Sequence, residues 1–85
     1  LSMMTSLTVS GASLRLLKVG ERGVIARVKG ANPTIVEQIR RLGLAPGTSI
    51  TLEQRSPRFV VRTRTGPLAL SQGMIQSIYV RTSTS

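Results

Sequence analysis

Glu21, Glu37 and Glu53 are the carboxylate side chains of this chain, and no His, Cys or Asp accompanies them. They fall sixteen residues apart each time, on different stretches of sequence. General acid–base chemistry needs titratable groups side by side at the reacting atom. A transition-metal site draws on imidazole, thiolate or clustered carboxylate. Without Cys there is neither a disulfide framework nor a thiolate nucleophile, and without His the commonest proton shuttle is missing. Side-chain catalysis is thereby nearly excluded, and no catalytic, cofactor-binding or metal-binding residue is assigned. Binding is what remains.

The material for binding is basic. Twelve Lys and Arg against three Glu give a formal net charge of +9, and ten of the twelve cations are arginine. Arg27 and Lys29 alternate on one strand-like run and Arg62 and Arg64 on another, so neighbouring strands would gather the four into one patch. Arg55 and Arg58 flank a Ser56-Pro57 turn and would extend it. Arginine offers a planar fork that matches carboxylate or phosphate, which lysine does not. Three readings stay open: a surface for an acidic protein, a salt-sensitive nucleic-acid platform, and a merely solvated face. Single-strand platforms stack bases on several aromatics, whereas the aromatics here are Phe59 and Tyr79. Phe59 falls on the apolar face by alternation, so an acidic protein ranks ahead of nucleic acid. Gly20-Glu21-Arg22-Gly23 lacks the spacing and following helix of a phosphate loop. It reads as a turn, with Glu21 a turn or rim residue.

The elements that must position these residues are short. Eighty-five residues make one small domain, and 40% hydrophobic content supplies a core that must be aliphatic. Residues 1–13 are expected as a flexible lead, 14–81 as the folded domain and 82–85 as a tail. No stretch has the roughly 20 consecutive apolar residues of a membrane span. Val24 to Lys29 reads as a strand ending at Gly30. Asn32-Pro33 then opens a helix over about residues 33–42, with Asn32 as N-cap and Pro33 at the first helical position. Ile35, Ile39 and Leu42 give it one apolar stripe. Gly43 stops it in the left-handed conformation, and Leu44 folds back on Ile39. Leu44 is either a core residue behind that stop or an apolar contact offered to a partner. Pro46-Gly47 has the type II turn arrangement. Alternating runs follow at 48–55 and 58–65, then Leu68 to Leu70, a short helical turn near 72–76, and Ile78 to Val80. The expected fold is mainly β: a small closed barrel of about five strands with one inserted helix.

Three blocks carry a family resemblance over about Leu14 to Arg81. The run from Leu17 to Ile25 resembles L-x-P-G-E-x-G-x-I, the opening of the ferrous iron transport protein A (FeoA) family, with Val19 where Pro is usual. Ile39 to Ile50 is similar to that family's L-x-x-L-G-[LI]-x-P-G-x-x-[IV], with Gly43, Pro46 and Gly47 in place. Leu68 to Val80 resembles its ending, with Ser71 where Arg is usual and Met74 where Ala is usual. The resemblance implies an SH3-like β-barrel. It further implies a cytoplasmic, non-enzymatic accessory protein of ferrous iron uptake, without direct membrane insertion. Its partner would be the GTPase part of the membrane ferrous iron transporter (FeoB), which brings it to the inner membrane. The same barrel recurs in metal-dependent repressors as a protein-interaction domain, so fold alone leaves the partner open. With no His or Cys, a regulator or scaffold is expected, not an iron carrier.

Overall fold

Proline and glycine divide the chain into the segments that a small sheet needs. The computed structural model describes residues 11–82. Strand β1 (Ala12–Ser13) leads into a 3-10 turn at Leu14–Leu16, followed by β2 (Arg22–Val28) and helix α1 (Pro33–Arg41). Strands β3 (Ser49–Gln54), β4 (Phe59–Thr63) and β5 (Gly66–Leu70) come next, then helix α2 (Gln72–Ser77) and β6 (Ile78–Thr82). All neighbouring strands run antiparallel, in the spatial order β1-β6-β2-β3-β4-β5.

Helix α1 forms where capping chemistry demands it. The Asn32 side-chain oxygen accepts from the Thr34 and Ile35 N–H groups at 2.9 and 3.4 Å, satisfying donors that lack partners inside a first turn. At the other end Gly43 takes φ +82°, a conformation that a Cβ disfavours. Leu44 N–H then donates to the Ile39 carbonyl at 3.2 Å and Gly43 N–H to the Arg40 carbonyl at 2.9 Å. These are the paired bonds of a Schellman ending. Leu44 is only 1% exposed and packs in the same core as Ile39. It is therefore a core residue, because the Schellman turn drives it inward, and it offers nothing to a partner. Leu42 makes the opposite correction: the helix ends at Arg41, and Leu42, expected on the buried stripe, is 38% exposed.

Two type II turns clamp the ends of β2 and β3. Ala45–Thr48 closes with Thr48 N–H donating to the Ala45 carbonyl at 3.0 Å, and Gly47 N–H reaches the Ile25 carbonyl at 2.8 Å. Lys18–Glu21 repeats the pattern, with Glu21 N–H on the Lys18 carbonyl at 2.8 Å and Gly20 at φ +88°. Val19 occupies the second position of this turn, where proline fits. Glu21 is the turn residue anticipated, its Oε1 accepting from Lys18 N–H at 2.9 Å. Gly23, by contrast, is no turn residue. It lies inside β2, where a Cβ would come within 3.3 Å of Val80.

The fold is mainly β with one inserted helix, as expected, but the strand count and closure differ. Among the described residues there are six strands, the extra one being β1, which pairs Ala12 with Val80 and Ser13 with Tyr79. These two residues fall at the end of the segment expected as a lead; its first ten residues and Ser83 to Ser85 of the tail lie outside the described residues. Among the described residues no ladder joins β5 to β1, so the sheet stays open. Pro67, which lacks an N–H, sits on the resulting β5 edge, the place a sheet tolerates it.

Candidate functional site

The open side of the sheet holds a cleft of about 490 Å³. The 3-10 turn contributes Arg15, the loop between β3 and β4 contributes Arg55, Pro57 and Arg58, and β5 and α2 contribute Ala69, Gln72 and Ile75. Phe59, Leu70 and Ile75 form its apolar floor. They are 8%, 7% and 5% exposed, the three largest values in the core. The core thus comes nearest to solvent here, in a cleft that three arginines line.

Arg55 is held in place by geometry reaching far along the chain. Its guanidinium donates to the Leu17 carbonyl at 2.6 Å and to the Arg15 carbonyl at 2.9 Å. It also lies over the Phe59 ring, 5.6 Å from the centroid. Carbonyls satisfy its donors without cancelling its charge. The Gln54 amide closes the adjoining loop by donating to the Arg58 carbonyl at 3.2 Å, which presents the exposed Arg58 side chain. Ser71 begins α2 at the cleft wall, its hydroxyl accepting from Met74 N–H at 3.3 Å.

All three carboxylates are engaged elsewhere. Glu21 accepts in its turn, Glu37 pairs with Arg41 at 3.5 Å along the helix, and Glu53 pairs with Arg62 across β3 and β4. No glutamate lines the cleft, so its positive potential has no local counter-charge. The described residues contain no group of three His, Cys, Asp or Glu side chains. The dispersed, occupied glutamates do not fit a ferrous ion's ligand set.

The expected basic patch divides differently. Strand β3 lies between β2 and β4, so Arg27 and Lys29 are not brought beside Arg62 and Arg64. Arg27 instead faces Tyr79 of β6, its guanidinium 4.7 Å from the ring centroid. Arg62 is neutralised by Glu53, and Arg64 is exposed in the turn after β4. Arg55 and Arg58 do share a site, and Arg15 joins them. Nothing in the local pattern flagged Arg15, apart from its place between the inward-facing Leu14 and Leu17.

A family profile for FeoA domains matches residues 12–82. A candidate Fe(2+) transport protein A of Leptolyngbya boryana is 43% identical over 81 residues, covering 94% of this chain and 99% of that one. Among solved structures, Stenotrophomonas maltophilia FeoA complexed with zinc, described as a prokaryotic SH3 domain protein, superposes with a TM-score of 0.68. It is 22% identical, with 79% of this chain and 86% of that chain covered. A manganese-dependent transcriptional repressor superposes at 0.77 with 18% identity, over 86% of this chain and 42% of that chain. At these identities the two structures speak to the fold alone, which is SH3-like. No helix of the described residues is long and apolar enough to cross a membrane.

Proposed function

The chain belongs to the FeoA domain family of ferrous iron transport, and from that membership we propose that it is a non-enzymatic accessory protein that docks on the cytoplasmic GTPase part of the membrane ferrous iron transporter. The observation that carries the reading is the cleft where Arg15, Arg55 and Arg58 line an apolar floor without a carboxylate among them. Arginine forks pair with carboxylates in two-pronged geometry. An uncompensated basic cleft also accelerates encounter with an acidic partner. Apolar floor and charged rim together are the make-up of a protein-binding patch.

Its role is regulatory or scaffolding and not iron carriage. His, Cys and Asp are absent, and each of the three glutamates is already engaged. An iron titration of the isolated chain is expected to show no micromolar site. The nucleic-acid reading loses ground because both aromatics are covered, Phe59 beneath Arg55 and Tyr79 beneath Arg27. A base would compete with a guanidinium at each ring. The repressor shares the fold, at an identity that carries no role to this chain.

Co-purification with the transporter's GTPase-bearing domain, with GTP turnover measured with and without this chain, tests the proposal. A salt-sensitive complex is the expected result. No complex and unchanged turnover, alongside sub-micromolar RNA or duplex binding at physiological salt, would reverse the ranking of protein over nucleic acid.

A further inference from the structure

We infer that the cleft receives an extended acidic segment of the partner, laid along the open edge of β5 with its carboxylates on Arg15 and Arg58. The inference rests on the docking reading for the partner's name, and on the fold for everything else. Among the described residues, strand β5 has one hydrogen-bonded neighbour, β4. In an antiparallel ladder alternate residues turn their N–H and C=O groups outward, so this edge presents the Ala69 backbone beside the cleft, and Pro67, which lacks an N–H, offers its carbonyl alone. An extended chain adds to such an edge through main-chain hydrogen bonds, and pockets for alternate side chains supply selectivity.

The walls match that geometry. Ala69 is exposed on β5 within the cleft, and its small side chain leaves room for a second backbone. Arg15 and Arg58 come from different elements and line the cleft together with its apolar floor of Phe59, Leu70 and Ile75. A segment alternating acidic and apolar residues would place carboxylates on the arginines and apolar side chains on the floor, following the two-residue period of a strand. Charge also decides among occupants. A second copy of this chain carries the same net charge of +9 and would be repelled from a basic cleft. Arg55 is already held by carbonyls and sets the floor and the field, leaving direct contact to its neighbours.

The test titrates the isotope-labelled chain with a short peptide alternating valine and glutamate, followed by backbone amide NMR. The valine–lysine peptide and a short oligouridylate serve as the other arms. The acidic peptide is expected to shift amides from Leu68 to Gln72 and at Arg58. Arg15→Glu and Arg58→Glu should each weaken it roughly tenfold, and the milder Arg58→Gln less. Arg81→Glu carries the same charge change away from the cleft and should leave binding within about twofold. Thermal melts of each variant separate lost binding from lost fold. Shifts confined to other surfaces, equal losses for Arg81→Glu and Arg58→Glu, or tighter oligouridylate binding at these amides would each overturn the assignment. A chain that binds the peptide but not the transporter domain overturns the partner and leaves the cleft. A complex with the domain that survives both cleft reversals overturns the cleft.

Discussion

Arg55 and Arg62 belong to the same β3–β4 hairpin, yet they are used in opposite ways. Arg62 pairs directly with Glu53 on the adjacent strand, and both side chains are partly in water. Arg55 reaches carbonyls 38 and 40 residues earlier in the chain, tying the 3-10 segment to the hairpin, and keeps its charge. A cation beside a carboxylate decorates the surface. A cation fixed by backbone carbonyls above an apolar cleft floor shapes a site. Arg62 lies within β4 opposite β3, whereas Arg55 lies in the loop beyond β3, within reach of the 3-10 segment.

The strongest way to break this comparison is Arg55→Ala. Two charge-assisted hydrogen bonds disappear and leave the half-buried Leu17 carbonyl without its partner, a loss of about 2 kcal/mol of stability. Arg55→Lys should recover only part of it, because an ammonium cannot fork to two carbonyls. Urea denaturation measures both; an alanine variant as stable as the parent would show that the tie holds nothing. Next in size is Arg58→Glu. It should cost about 1.4 kcal/mol of partner affinity, a tenfold change, while leaving stability within about 0.5 kcal/mol. That split between affinity and stability distinguishes a docking arginine from a structural one.

Smaller effects sharpen the contrast. Val19 stands at the second position of the turn that follows the segment Arg55 holds, with Gly20 behind it at φ +88°. Val19→Pro should raise stability by about 0.4–1 kcal/mol by narrowing the unfolded ensemble, visible as a higher denaturation midpoint. A drop instead would mean that the backbone at 19 cannot accept the ring. Smallest is the Arg62–Glu53 pair. A double-mutant cycle should give a coupling of a few tenths of a kcal/mol, fading in high salt.

Much of the fold was readable because it is written in local chemistry. Asn32-Pro33, Gly43 and Pro46-Gly47 each impose a backbone conformation within a few residues, and the structure places all of them as turns or caps. The alternation of Ile50 and Leu52, and of Phe59 and Val61, fixed the buried face of β3 and β4. What escaped was set by strand adjacency. Arg27 and Arg62 look like neighbours on alternating runs, but β3 intervenes. Two-residue β1 carries too little pattern to announce a strand, and its pairing with β6 spans nearly the whole chain. Closure failed as an expectation for the same reason, since no local signal says whether β5 meets β1. Arg15 became part of the site only because that gap exists. The match to FeoA rests on the apolar and glycine-rich blocks, while the site proposed here rests on arginines those blocks do not contain.

The central claim is that an acidic partner in ferrous iron transport docks at this cleft. Calorimetric titration of the chain into the transporter's GTPase-bearing cytoplasmic domain tests it most directly, run in parallel with Arg58→Glu and Arg81→Glu. The account predicts a complex that Arg58→Glu weakens roughly tenfold and that Arg81→Glu leaves nearly intact. No heat of binding for the parent chain, or equal weakening by both reversals, would contradict it.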